Sequence, residues 1–413
     1  MDNAHRVRPE PGQFDRMLAA AGVDPALVRS RTELSDATFN TVHRVRLHED
    51  APYPRGLIVK TAPDPAAPTL SHERGIMRTE GMYYAAAAGR APVPEVVYAD
   101  FSRELIGTDF LVLTELPGTN WHTAHGTLAD AERARLRREL GTLVAEVHQV
   151  TGPAFGYPQS WPTTLAAPMV TAPHVTAPNV TAPMVTAPAP TASAPTASTG
   201  SPVPAPPAPT ASPMPSAPPR GPAVAGPGWR ATFLAMVDTV LADAEEFGAP
   251  LPEPAGRIRE AVHAVAAPLD AVTTPVLVHF DLWDGNILVD RTTAAPGTPT
   301  APGTPTAPGT PRIGGLIDGE RAFWGDPLAE LVSLALGGGI EGDEAFLAGY
   351  RAAGGQVVFD EGTRLRLTLY RLYLWLIMLA EAAPRGFAGP ERAARDAWVD
   401  GLLRAELAAL RMA

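Results

Sequence analysis

His279, Asp281 and Asn286 fall within VLVHFDLWDGNILVD, residues 276–290, and Asp318 follows in GGLIDGERAFWGDP, residues 314–327. A carboxylate for an acceptor hydroxyl, plus oxygen ligands that hold Mg²⁺ against phosphates, is what phosphoryl transfer asks of a protein, because positioning and charge neutralisation supply most of the catalysis. The spacing H-x-D-x-x-x-x-N is too long for a strand and too irregular for a helix, so it suits a loop that turns Asp281 and Asn286 toward one point. Aliphatic runs flank that loop, Val276–Val278 before it and Ile287–Val289 after it, and read as strands. Asp318 ends another such run, Ile313–Ile317, where a carboxylate suits Mg²⁺ as a hard oxygen ligand. A lone H-x-D pair is common by chance; the strand-flanked set with its strand-terminal Asp is far more specific.

VHFDLWDGNILVD and LIDGERAFWGDPLAEL resemble the two signature segments of the aminoglycoside phosphotransferase family, which shares its fold with protein kinases. The resemblance implies an α+β, bilobal, protein-kinase-like fold with a small β-rich N-lobe and a larger, mainly helical C-lobe. It makes Asp281 the catalytic base, His279 the residue that shapes the catalytic loop, and Asn286 and Asp318 the metal ligands, with ATP or GTP and Mg²⁺ as cofactors. Trp283 and Asp284 depart from the family, which more often has His or Lys followed by Pro there.

The elements that would position this chemistry start with a lysine. Of 33 basic residues other than histidine all but one are arginine, and the single lysine, Lys60, ends the strand-like GLIVK. An ammonium is a compact point charge that fits between phosphate oxygens and a carboxylate where a planar guanidinium does not, and Lys60 matches the strand lysine that kinases place on the phosphates. Its ion-pair partner is expected in the helical stretch LSHERGIMRTEGMYYAAAAG: Glu80, because its distance to the following APVPEVV strand resembles the family's arrangement, with Glu73, seven residues earlier and roughly on the same face, in reserve. The phosphate-covering loop is expected within residues 34–45, with Ser35, Thr38 and Asn40 as contacts beside Asp36, although that stretch lacks the glycines that usually let backbone amides approach phosphates. Thr114, Glu115 and Leu116, at the end of the strand DFLVLTEL, make the hinge that the resemblance assigns to the adenine edge.

Composition supports this layout. Residues 162–228 hold 19 prolines, a VTAP-type repeat and one charge, Arg220, and read as a disordered Pro/Ala/Thr-rich linker. A second insertion, 292–311, lies where two strands would otherwise form a hairpin. The reading is therefore an N-lobe and hinge over 1–116, the start of the C-lobe over 117–161, the linker, and a catalytic and acceptor-binding C-lobe over 229–413. His148 and the stripe Tyr370, Tyr373 and Trp375 read as core, Asp326 as a helix cap, and Glu320 and Arg321 as facing either acceptor or solvent.

The chain has no cysteine and its first residues lack the apolar core of a signal peptide, so a cytoplasmic protein is expected. The longest uncharged apolar run, Leu372–Ala380, is too short to span a bilayer. Net charge is −11, and residues 229–413 carry 24 acidic against 15 basic groups, which disfavours nucleic acid and mildly favours a cationic acceptor, although an acidic solvated surface explains the same count; the small-molecule hydroxyl class is what the resemblance implies. Asp326 follows Asp318 by only eight positions, too few for a segment that docks protein substrates. The expectation is an ATP-dependent O-phosphotransferase for an aminoglycoside-like compound; a metabolite kinase for an amino alcohol, sugar or glycated amine, or a catalytically silent nucleotide-binding module, are the alternatives.

Overall fold

A computed structural model describes residues 5–34, 39–49, 51–161, 225–291 and 309–413. The first lobe runs through helix α1 (Pro11–Ala20), strands β1 (Val28–Glu33), β2 (Thr41–Leu47) and β3 (Leu57–Thr61), helix α2 (Ile76–Ala87), and strands β4 (Val96–Asp100) and β5 (Phe110–Thr114). The five strands form one antiparallel sheet in the order β1-β2-β3-β5-β4. Successive strand side chains point to opposite faces. Leu57 and Val59 therefore pack with Val45, Phe110 and Val112 against Phe14, Met17 and Leu18 of α1. Lys60, between Val59 and Thr61, points the other way, toward α2.

The stretch that reads as one helix around residues 70–89 is divided. Ser71–Glu73 is a 3₁₀ turn, Gly75 takes a left-handed φ of 73°, and α2 begins only at Ile76. Glycine adopts that conformation without a Cβ clash and so resets the chain direction. Glu73 and Glu80 consequently do not share a helix face.

The second lobe contains β6 (Thr119–Asn120), α3 (Trp121–Ala124), α4 (Asp130–Val147), α5 (Trp229–Glu246), α6 (Ala255–Ala264), β7 (Val276–Val278), β8 (Ile287–Asp290), β9 (Arg312–Leu316), β10 (Phe323–Gly325), α7 (Glu330–Leu334), α8 (Glu344–Ala352), α9 (Glu361–Ala380) and α10 (Gly389–Met412). Its core is built on α9, whose run from Leu372 to Ile377 is wholly buried, Tyr373 and Trp375 included. Tyr370 is buried too, donating to Asp326 at 2.6 Å and accepting from the Trp229 indole at 2.8 Å. Helices α4 and α8 touch backbone to backbone at glycines: a Cβ on Gly349 would lie 1.9 Å from the Arg138 carbonyl oxygen, and one on Gly141 2.1 Å from that of Phe346.

Two small sheets carry the functional loops. β7 pairs with β10, and β8 pairs antiparallel with β9 in a register that sets Val289 opposite Ile313 and Asp290 opposite Arg312. Residues 292–308 connect β8 to β9. Residues that composition groups with the repeats already bond into the lobe: the Gly309 amide donates to Arg291 O at 3.1 Å and the Ala225 amide to Pro153 O at 2.8 Å. Among the described residues no helix is long and apolar enough to cross a membrane.

Candidate active site

The facing surfaces of β3, α2 and the end of β9 bring one cation to three carboxylates. Lys60 Nζ lies 2.7 Å from Glu80 Oε2, 2.6 Å from Asp318 Oδ1 and 3.8 Å from Glu320 Oε2. Burial works against the lysine's charge, but Asp318, Glu80 and Glu320 outweigh it and raise its pKa. Burial likewise opposes ionisation of Asp318, and Lys60 overcomes it to lower that pKa. Tyr84 ties the cluster together, donating its hydroxyl to Glu80 Oε1 at 2.6 Å and accepting from the Asp318 amide at 2.9 Å. Glu73 is elsewhere, paired with Arg385 and accepting from the Leu70 amide at 3.0 Å.

Glu320 is buried rather than solvated, and so is Arg321. Burial, followed by the nearby Asp318, pushes Glu320 up to about 8. Fully ionised, the three carboxylates would exceed Lys60 by two charges, and one oxygen from each lies within 4.8 Å of the others. Hard oxygen donors with a surplus of two negative charges suit a divalent cation such as Mg²⁺. Asp318 and Glu320 are therefore groups that could hold it, with Glu80 engaged by Lys60 and Tyr84, and Asn286, at the end of the 3₁₀ turn Asp284–Asn286 before β8, offers a carboxamide oxygen.

The catalytic loop is held from beneath. Glu330, at the start of α7, accepts from the His279 amide at 2.7 Å and the Phe280 amide at 3.1 Å. Ser333, one turn on, accepts from the Leu282 amide at 3.0 Å. Burial pushes Glu330 up to about 7. His279 donates from Nε2 to the Ile317 carbonyl at 2.9 Å and accepts at Nδ1 from the Asp281 amide at 3.2 Å, bonds that fix its tautomer and clamp the loop to the strand bearing Asp318. Burial lowers the His279 pKa to about 4, so the ring is neutral and structural. Phe280 and Asp318 adopt left-handed φ values of 63° and 66°. Each such non-glycine residue costs on the order of 1–2 kcal/mol, which the bonds from Glu330 and Tyr84 offset.

Asn286 turns inward and donates Nδ2 to the Asp281 carbonyl at 2.7 Å and to its carboxylate at 3.3 Å. Burial pushes Asp281 up to about 6, against the opposing pull of Arg321, whose Nε lies 3.9 Å from Oδ2. A carboxylate with its pKa near 6, oriented by a carboxamide and a guanidinium, is equipped to accept a hydroxyl proton at neutral pH. Trp283, two residues on, lies over Gly285, where a Cβ would sit 2.2 Å from the indole, and its ring centroid is 5.6 Å from that of His122.

The nucleotide contacts read from sequence fare unevenly. Ser35 and Thr38 lie outside the described residues. Asn40 is buried and donates to Glu320 Oε2 at 2.6 Å, so its amide braces the carboxylate cluster. At the hinge the Thr114 amide is taken by Glu95 O and the Glu115 amide by Gly56 O, while the Glu115 carboxylate pairs with Arg44 and Arg46. Among the described residues the Leu116 amide has no such partner. Asp326 caps the 3₁₀ turn Pro327–Ala329 through the Leu328 amide and also takes Arg366 at 2.7 Å. His148 is a core residue, bonded through Nδ1 to Tyr350 Oη at 2.9 Å. Glu330 and Tyr84 escaped the sequence reading; a glutamate inside the apolar LAELVSLAL was the available signal for the first, and nothing marked the second.

The sequence pattern described as the phosphotransferase enzyme family matches residues 34–298. A candidate fructosamine-3-kinase from Thermobifida fusca superposes over 95% of this chain and 97% of its own, with a TM-score of 0.53 and 19% identity. A thermostable mutant of the aminoglycoside phosphotransferase APH(4)-Ia, in ternary complex with AMP-PNP and hygromycin B, covers 96% and 98% at a TM-score of 0.51 and 15% identity. The gentamicin complex of APH(2″)-IIa covers 97% and 99% at 0.50 and 13%. These likenesses show a common bilobal, kinase-like fold. No curated protein matches the sequence.

Proposed function

This chain belongs to the phosphotransferase enzyme family, and from that premise we propose that it transfers the γ-phosphoryl group of ATP to a hydroxyl of a small, polyhydroxylated, amine-bearing molecule. The observation that carries the reading is the joining of Lys60, Glu80 and Asp318 within 2.8 Å beside a loop that presents Asp281. A silent binding module has no need of a carboxylate held near pKa 6 on a loop clamped to the strand that leads to Asp318.

In this mechanism Lys60 neutralises phosphate oxygens while Glu80 and Tyr84 fix its position. Asp318, Glu320 and Asn286 would hold Mg²⁺, which, when bound, neutralises charge on the phosphates and orients them. Asp281 accepts the acceptor's hydroxyl proton as the oxygen attacks the γ-phosphorus and ADP leaves. Leu116 offers its amide to the base of the nucleotide. The protein's larger contribution is alignment, since a near-attack geometry removes most of the entropic barrier.

The acceptor class rests on three supports. The turn Gly319–Arg321 and β10 lead directly to Asp326 and are buried, which leaves no docking segment for a protein substrate. Trp283, half-buried and two residues along the chain from Asp281, has an indole of the kind that suits the apolar face of a sugar ring. The acidic excess of residues 229–413 favours a cation. Hygromycin B and gentamicin are bound by two of the structural neighbours, and the third is a candidate fructosamine kinase; an acceptor panel should therefore hold aminoglycosides, glycated amines, amino alcohols and neutral sugars. Consumption of ATP with an amine-bearing member and not with neutral sugars supports the proposal. Phosphorylation of neutral or anionic compounds alone would defeat the cationic part.

A further inference from the structure

Behind Asp281 runs a second buried ion network, separate from the one around Lys60. Arg321 Nε stands 3.9 Å from Asp281 Oδ2, and Arg321 Nη2 lies 2.7 Å from Glu381 Oε2. That same oxygen is 3.1 Å from Arg385 Nη2, and Arg385 pairs in turn with Glu73. Arg395 also reaches Glu381 from α10. Glu73, Glu381, Arg321 and Arg385 are each at least 92% buried, and their signs alternate along the chain. Glu73 belongs to the first lobe and Arg385 to the second, 312 residues away. The Arg385 guanidinium also covers the Phe39 ring, 4.5 Å from its centroid, at the end of the loop that leads into β2.

We propose that Glu73 and Arg385 are positioning residues for Asp281, acting through Glu381 and Arg321. The segment before and within α2 then has two ends: Glu80 fixes the lysine of the phosphate half of the site, and Glu73, seven residues earlier, aligns the base of the acceptor half. The physical ground is that a buried charge tolerates loss of its partner poorly, so each member of an alternating chain holds the next in place. Further support comes from anchors that fasten the same turn to the second lobe, with the Ser71 amide and hydroxyl donating to Asp243 at 2.8 and 2.7 Å and Gln159 donating to the His72 carbonyl at 2.7 Å. The inference rests on the reading of Asp281 as base.

Hydrogen exchange over residues 279–287 tests the coupling without any substrate, and steady-state ATP turnover tests its consequence. Glu73→Gln should accelerate exchange in the loop severalfold and lower kcat by roughly tenfold while nucleotide KM stays within about twofold. Arg385→Lys, which keeps the charge, should retain most of the rate. In an Arg321→Met background Glu73→Gln should cost little more, because the chain is already cut. Unchanged loop exchange in Glu73→Gln, or rate losses that simply add, would overturn the proposal. If Glu73→Gln does not fold, Arg385→Gln serves for the same comparison. Wild-type protein that turns over no ATP would instead count against the phosphotransferase reading, and loop exchange would still decide the coupling.

Discussion

Asp281 and Lys60 carry the most specific expectations. Burial raises Asp281, and a base works only when deprotonated, so kcat/KM should rise with pH and level off above about 6. A profile flat from pH 5 to 7 would separate Asp281 from the proton transfer, the window following from that pKa. Lys60→Arg keeps the charge but cannot keep three carboxylate contacts around one nitrogen. Loss of one charged hydrogen bond, about 1.5–3 kcal/mol, corresponds to a ten- to hundredfold fall in kcat/KM for ATP. Turnover equal to wild type would make the lone lysine an accident of composition. These residues were legible because their chemistry is local: His279, Asp281 and Asn286 sit within eight consecutive positions. Arg385 was not legible, because its partner Glu73 is 312 residues distant and no periodicity announces such a pair.

The elements show the same division between local and remote signals. β7, β8 and β9 were readable as aliphatic runs, and the pairing of Val289 with Ile313 follows once the intervening insertion is set aside. Replacing residues 292–308 with Asn-Gly should therefore leave folding and turnover intact, since a two-residue turn suits an antiparallel pair already joined by Asp290 and Arg312 at 2.9 Å. Loss of soluble, active protein would contradict the hairpin. The helix ahead of Glu80 was misread because its composition is helical throughout, whereas the left-handed Gly75 decides where the helix starts. Where α4 meets α8 the backbones leave no room for a side chain. Gly349→Val should destabilise the protein by about 3 kcal/mol or more, read from denaturant midpoints, because overpacking of this kind commonly costs 1–3 kcal/mol and here the obstacle is backbone. A change below about 0.5 kcal/mol, the usual size of an innocuous surface substitution, would show that the helices part easily.

At the scale of the whole molecule, two lobes contribute complementary halves of one site: β3 and α2 bring Lys60 and Glu80, and the β7–β8 loop and β9 bring Asp281, Asn286 and Asp318. The bilobal fold was legible through the signature segments, but the acceptor was not, since contacts such as that between Trp283 and His122 are set by tertiary packing. The most direct test follows phosphate itself. Purified wild-type protein and its Asp281→Asn variant should be incubated with MgATP and the hydroxyl-compound panel, with ADP and a new phosphate monoester followed by ³¹P NMR. The wild type should form a monoester with an amine-bearing acceptor, and the variant, losing its base but not its phosphate grip, should bind nucleotide normally while transferring roughly 10² to 10⁴ times more slowly. Equal transfer by the two proteins, or none by the wild type with any hydroxyl acceptor, would contradict the account.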